Sequence, residues 1–230
     1  MTLPPDEAHH LRHVLRLGAG AEIAVFNGHG REWAGCVVLA KKRGEVTVEL
    51  TGELTPAAEP QVRVILGVGV LKGDQMDAVI RDATMLGVAE IAPFASEHVT
   101  VPARAWRSTA ATERWRRVAV ASAKQCGRAV VPVVAPVARF EALLDAASVA
   151  VRLMCVEPAA AGSSVVGLSA IARPTTALAL IGPEGGWAPG DIDIARRHGA
   201  MFVHLGPRTL RAETAPTVLL SALWTLWGWS

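Results

Sequence analysis

The sequence predicts an α/β protein, a parallel-sheet domain preceded by a small all-β unit. Three observations predict it. From residue 62 onward, apolar strand-like runs alternate with amphipathic helical stretches, the pattern of a parallel sheet covered by helices. The first of these runs, 62–70 (VRVILGVGV), is apolar without alternation, as in a strand buried on both faces. Before it, residues 22–50 alternate with period two around an Asn27-Gly28 turn signal. With 230 residues, 51% of them hydrophobic, the chain can bury a full core in one large domain or in a small and a medium one.

Residues 6–17 (DEAHHLRHVLRL) read as a short amphipathic helix with Leu11, Val14 and Leu15 inward, stopped by Gly18 and Gly20. Strands follow at 22–26, 32–39 and 45–50, and the β unit closes near residue 52. The two prolines of 52–60 (GELTPAAEP) mark a linker. Beyond it, helices are expected at 74–86, 112–126, 140–147, 191–198 and 214–227, with strands at 90–94, 130–134, 149–156, 176–181 and 201–205. In the helix at 74–86, Met76, Val79, Ile80, Ala83 and Leu86 share one face. The low-complexity stretch 159–164 (AAAGSS) reads as a mobile loop. The last helix is apolar nearly all round and ends the chain with Trp229, which suggests a homodimer interface.

The net charge of +2 says little, but its distribution is uneven. Residues 1–103 hold nine basic and thirteen acidic residues, whereas residues 104–128 hold seven basic residues and one acid, Glu113. On a helical wheel from Thr112, Trp115, Val118, Ala119, Ser122 and Cys126 fall on one face, and Arg114, Arg117, Lys124 and Arg128 form a stripe on another. A cationic stripe whose one nearby acid is Glu113, four residues before Arg117, suits a phosphate backbone, though many charge runs are only solvated. Arg104 and Arg107 lie just upstream. The cysteines, Cys36, Cys126 and Cys155, are odd in number and far apart, and neither a zinc site nor a disulfide framework is suggested. His9, His10 and His13 lack an accompanying carboxylate motif, so no metal is expected. No signal pattern and no run of membrane-spanning length is visible, and the expected location is the cytoplasm.

Chemistry is concentrated near the C-terminus. The run ending at Ile181 breaks into Gly182-Pro-Glu-Gly-Gly186 and Trp187, and the run ending at Leu205 breaks into Gly206-Pro-Arg-Thr-Leu-Arg-Ala-Glu-Thr214. Two strand-to-loop breaks separated by one short helix bring both loops to one edge of a parallel sheet, where such sheets bind ligands. Neither the Lys-Ser/Thr of a phosphate loop nor a G-x-G-x-x-G is present. Glu184 among glycines suits a cationic or hydrogen-donating ligand. The alternatives are a plain strand-to-helix turn, with Asp191 near the helix start, and a loop closed by structural pairing of Arg211 with Glu213.

This pair of loops, IGPEGGW and LGPRTLRAET, in that order near the chain end, resembles the SPOUT-class RNA methyltransferases. Within them it is similar to the ribosomal RNA small-subunit methyltransferase E family, the uridine-N3 methyltransferases of 16S rRNA. His10-Leu-Arg-His-Val-Leu-Arg16, Gly20 and Phe26-Asn-Gly28 resemble that family's PUA-like N-terminal barrel. Lys72-Gly-Asp-Gln-Met-Asp77, Leu86-Gly87, Arg114-Trp115 and Lys124-Gln-Cys-Gly-Arg128 resemble its central segments. The resemblance implies a PUA-like RNA-recognition barrel over 1–54 and a dimeric trefoil-knot methyltransferase domain over 61–230 that binds S-adenosylmethionine. It implies a cofactor pocket of Leu180, Gly182, Pro183, Glu184, Gly185, Glu157, Leu205, Gly206 and Leu210, catalytic roles for Arg211, Arg208 and Glu213, and RNA contacts from Arg12, Arg16, Arg114, Arg117, Lys124 and Arg128. The expected partners are 16S rRNA in the small ribosomal subunit and a second copy bound through the last helix and the knot, with no membrane. Three departures stand out. Met85 occupies a position where the family usually has Glu, Val156 precedes Glu157 where His is common, and about one strand's length of residues is missing before Pro4, so a shortened barrel is expected.

Methyl transfer to uridine N3 requires loss of the N3 proton, and an arginine aimed at O2 and O4 stabilises the resulting charge. Arg211 is the first candidate, and Glu213 or a water is the candidate base. The uridine must be flipped or single-stranded to be reached. Two other functions remain open, methylation of a different RNA and a catalytically silent knotted RNA-binding module.

Overall fold

A computed structural model describes residues 1–39, 45–106, 108–158 and 165–228. The chain forms two compact units, Met1–Ala57 with Gly127–Val130, and Ala58–Cys126 with Val131–Ser230. The stretch 159–164, Arg107 and Trp229 lie outside the described residues.

The first unit is a three-stranded antiparallel sheet, β1 (Glu22–Phe26), β2 (Glu32–Leu39) and β3 (Val46–Leu54), in that order. Residues 1–3 run along β3, with Leu3 N–H donating to Val46 O and Val48 N–H to Met1 O. The expected helix at 6–17 is instead α1 (Pro5–His9), opened by a proline that needs no N–H there, followed by a π-helical turn at His10–Val14. The wider turn bonds Leu15 N–H to His10 O, five residues back, and rotates the later side chains away from the 3.6-residue period. Ala8 and Leu11 therefore stay in the core with Val37 and Val46, while Val14 (61% exposed) and Leu15 (53%) face solvent, contrary to the inward placement expected. That exposure forgoes about 1.5–3 kcal/mol per side chain relative to full burial.

Asn27-Gly28 does not make a two-residue hairpin. Phe26 pairs with Glu32, leaving a loop at 27–31 in which Asn27 Oδ1 accepts from the N–H groups of His29 and Arg31. β3 runs on to Leu54, inside the expected linker, because Gly52, Glu53 and Leu54 still find partners on β2 beyond a bulge at Ala34/Gly35. Val130, expected in a sheet strand, instead bridges to Gly28 and His29 in this first unit.

The second unit holds an all-parallel seven-stranded sheet in the order β10-β8-β9-β4-β5-β6, with β7 also on β5. Along the chain its elements are β4 (Arg63–Gly69), α2 (Asp74–Met85), β5 (Glu90–Ala95), α3 (Ala103–Trp106), α4 (Thr109–Cys126), β6 (Val133–Val134), β7 (Ala138–Arg139) and α5 (Phe140–Ala146). Then come β8 (Val151–Cys155), β9 (Thr176–Ile181), α6 (Pro189–Arg197), β10 (Met201–Val203) and α7 (Ala215–Trp227). The order turns back between β4 and β9. The chain moves outward from β4 through β5, then returns to build β8, β9 and β10 on the other side, which makes the C-terminal edge of β9 a switch point where ligands bind.

The unbroken apolar run of β4 follows from burial on both faces. Val64, Leu66 and Val68 join one core with α2 and α7, and Ile65 joins the other with Phe94, Phe140, Leu178 and Leu180. The last helix is less uniformly covered than its composition suggests. α7 buries Leu219, Leu220, Leu223, Trp224 and Trp227 within its own unit, and the Trp224 and Trp227 indoles donate to Leu86 O and Ile171 O. Val218 and Leu226 are left on an exposed strip with Ser221 and Thr225.

Candidate functional site

At the C-terminal edge of the sheet, a cleft of about 310 Å³ opens between the segments that follow β8, β9 and β10. That volume is at the lower end of the range for small-molecule sites. Its walls include Glu157, Gly182, Pro183 and Glu184 from the first two segments, and Leu205, Arg208, Leu210, Arg211 and Glu213 from the third. Three expected lining residues do not line it. Leu180 is fully buried in the sheet and its neighbour Ile181 takes the place at the wall, because side chains alternate along a strand. Gly185 and Gly206 lie in the flanking loops outside the lining.

The loop after β9 is held from several directions. Lys72 N–H donates to Glu184 Oε1 at 2.9 Å, and the Gln75 amide reaches the same oxygen at 2.8 Å. His98 Nδ1 sits 3.1 Å from Gly185 O, and a side chain at Gly185 would strike the His98 backbone at 2.7 Å. Gly186 has φ +72°, a conformation disfavoured for other residues, and packs against Glu157. Asp191, buried at the start of α6, accepts the Ala188 N–H, and burial pushes its carboxyl above the ordinary range.

Trp187 is the residue that sequence reasoning left without a role. Its indole N–H donates to Cys155 O at 2.7 Å, joining the segment after β9 to the end of β8. Its ring stacks on Phe94 (5.6 Å, 13°) and tilts against Phe140 (5.2 Å). The signal was indirect. Gly182 is a glycine because a Cβ there would lie 2.9 Å from the Trp187 ring. Gln75 and Cys155 also line the cleft unforeseen, and burial, with Glu157 nearby, pushes the Cys155 thiol up to about 12.

The third segment is more open. Arg211 is largely exposed, with a guanidinium nitrogen 3.8 Å from the half-buried Glu213 carboxylate. Its carbonyl accepts the N–H groups of Thr214 and Ala215 and so starts α7. Thr214 stands at the cap position, but its side chain makes no capping bond. Arg208 is exposed as well. The cleft thus has carboxylates on the β8 and β9 side and two guanidiniums with one carboxylate on the β10 side.

The expected basic stripe is only partly present. Arg114 is tied to Asp77 and Asp74 on α2, acidic partners that come from another helix rather than from i,i+4 positions. Those bonds raise the Arg114 guanidinium further. Arg117 and Lys124 are exposed on α4, as is Cys126, although the wheel puts it on the same face as the buried Trp115, Ala119 and Ser122. Arg128 is buried, beyond the helix end and within the first unit, so it is not on a solvent-facing stripe. Arg12 and Arg16 are exposed on the first unit, and Arg104 on the second.

Residues 58–224 match the RNA methyltransferase domain family, and residues 3–51 match the RNA methyltransferase PUA domain. The chain belongs to this RNA methyltransferase family. Among curated relatives, the ribosomal RNA small subunit methyltransferase E of Synechocystis sp. is 30% identical over 97% of this chain and 72% of its own length. That of Bacillus subtilis is 28% identical over 95% and 87%. The structure of a ribosomal RNA small subunit methyltransferase E from Neisseria gonorrhoeae bound to S-adenosyl methionine superposes with a TM-score of 0.89 at 28% identity, covering 99% of this chain and 92% of that one. A putative methyltransferase from Legionella pneumophila with bound SAM gives 0.90 at 26%, covering 98% and 91%. Among the described residues, no helix is long and apolar enough to cross a membrane.

Proposed function

We propose that this protein is an S-adenosylmethionine-dependent methyltransferase acting on N3 of a uridine in 16S rRNA of the small ribosomal subunit. The observation that carries the reading is the cleft itself, which draws Glu157 and Glu184 together with Arg208, Arg211 and Glu213 at the sheet's switch point. The cofactor is a cationic, partly apolar molecule. Its sulfonium and ammonium suit the Glu157 and Glu184 side, and its adenine suits Ile181, Leu205 and Leu210. When bound it supplies an electrophilic methyl group.

The chain's own residues supply the rest. Glu184, fixed by Lys72 and Gln75, keeps one wall of the cleft rigid before any ligand arrives. Arg211, and beside it Arg208, neutralises the charge that spreads to O2 and O4 as the N3 proton leaves. Glu213, next to Arg211, accepts that proton. Arg12 and Arg16 on the PUA-like unit and Arg117 and Lys124 on α4 contact phosphates, and Arg114 adds less because its charge is already paired. In this reading the chain from edge strand β10 back to α7 on α2 is threaded as a trefoil knot. Val218 and Leu226 on α7 meet a second copy.

Calorimetry with S-adenosylmethionine tests the cofactor half. Wild type and Arg211→Ala should bind alike while turnover is lost only in the variant. Absence of binding in wild type would leave a silent RNA-binding module, and equal loss of binding and turnover in Arg211→Ala would make that residue structural.

A further inference from the structure

The turn after α1 has features that the cleft chemistry does not use. Its π-helical geometry is rare and recurs at functional sites. Among the described residues, Arg16 is the one non-glycine with a positive φ, 54°, a strained backbone that glycine would adopt freely. The turn is anchored from below, since Ala8 and Leu11 are buried, Leu17 packs beside them, and Leu17 N–H donates to Leu11 O across Arg16.

What this anchored turn presents outward is an apolar tip among arginines and imidazoles. Val14 and Leu15 are exposed, and around them His9, His10, Arg12, His13 and Arg16 are exposed too. The His9 and His13 rings lie 4.5 Å apart. None of these five side chains has a hydrogen bond or ion pair among the described residues, whereas other surface arginines, Arg31 and Arg114 for example, are paired with carboxylates. The acids on the turn's own first residues are Asp6 and Glu7.

We infer that this turn is a wedge for RNA. Val14 and Leu15 pack on the faces of unstacked bases or riboses, while Arg12, Arg16 and the imidazoles contact the flanking phosphates. An apolar tip flanked by cations fits nucleic acid, which offers base faces and phosphates a few ångströms apart and whose base steps open to inserted apolar side chains. An apolar tip alone would fit a protein as well, but Arg12 and Arg16, without ion pairs among the described residues, complement a polyanion. A wedge also meets a need of the proposed reaction, because a uridine must leave its stack to be methylated. The inference rests on the proposed function for the identity of the RNA, not for the contact itself.

The test uses the full chain and two double variants at exposed positions, Val14→Ser/Leu15→Ser and Arg12→Ala/Arg16→Gly. Each is titrated with protein-free 16S rRNA and with small subunits lacking the modification, at several salt concentrations. The apolar variant should lose about tenfold in affinity with its salt dependence unchanged. The arginine variant should show a shallower salt dependence by about one to two units of slope. Its thermal midpoint should not fall, because glycine relieves the strain at position 16. Both should bind S-adenosylmethionine as wild type does. Wild-type RNA affinity in both variants overturns the inference. So does weakened binding to subunits with unchanged binding to protein-free rRNA, which would put a ribosomal protein on the turn. A wild-type chain that binds RNA through the turn but transfers no methyl group overturns the proposed function and leaves the wedge standing.

Discussion

Replacing Gly182 by alanine tests how the cleft is built. The added Cβ would lie 2.9 Å from Trp187 Cε2 and 3.0 Å from its Nε1, distances that side-chain carbons do not tolerate. Trp187 has little freedom to retreat, since its N–H is bonded to Cys155 O at 2.7 Å and its ring is stacked on Phe94 and packed against Phe140. Overpacking a site of this kind costs about 1–3 kcal/mol. Displacing the indole adds about 1 kcal/mol for the lost hydrogen bond. The expected total of about 2–4 kcal/mol would lower the thermal midpoint by about 5–15 °C for a chain of this size. Because Trp187 and Gly182 both line the cleft, cofactor affinity should fall as well, by about tenfold or more. Trp187→Phe alone should cost about 1–2 kcal/mol through the bond it cannot make. It also removes the ring edge that the alanine would strike, so the double variant should be more stable than the sum of the two singles by about 1 kcal/mol. Denaturant unfolding of the four proteins, with calorimetry of S-adenosylmethionine binding, completes the cycle. A neutral Gly182→Ala, or strictly additive costs, would refute the proposed link between the ends of β8 and β9.

When protonated, His198 donates from Nδ1 to Ile194 O and from Nε2 to Asp145, and the carbonyl first and the carboxylate second raise its pKa. A raised folded-state pKa gives stability that is complete below the ordinary histidine value, about pH 6.5, and is lost as pH rises through the folded value. The stability gap between wild type and His198→Ala should therefore be largest at about pH 5.5 and shrink toward pH 8.5, and a gap that widens with pH would contradict the pairing. Thiol alkylation followed by mass spectrometry should label exposed Cys126 quickly and Cys155 far more slowly, because partial burial holds the Cys155 thiol neutral, with a pKa of about 12. Arg117→Ala should weaken RNA binding and reduce its salt dependence by about one unit of slope, and Arg114→Ala should do so less because Asp74 and Asp77 already hold its charge. Fluorescence titrations across salt concentrations would compare the two.

The parallel sheet was legible because its strands carry their own evidence. β4 and β9 are apolar runs without alternation, and burial on both faces is the reason. The two strand-to-loop breaks were legible because in a parallel sheet every strand ends at the same edge. Other features depended on tertiary context that no local pattern records. The period of residues 6–17 is helical, yet a π-helical turn at His10–Val14 turns Val14 and Leu15 out. Arg128 continues the stripe on a helical wheel, but the helix stops at Cys126 and the next residues join the first unit. The carboxylates that occupy Arg114 lie on α2, distant in sequence from α4. Trp187 directly follows the glycine-rich loop 182–186, but its bond to Cys155 O crosses between two loops and leaves no trace in spacing.

Nucleoside mass spectrometry of 16S rRNA, recovered from small subunits lacking the modification after incubation with this protein and S-adenosylmethionine carrying a labelled methyl group, tests the proposed methylation most directly. Labelled N3-methyluridine is expected at a single site, appearing with wild type and absent with Arg211→Ala. Label on another nucleoside, or in transfer RNA with none in 16S rRNA, would contradict it.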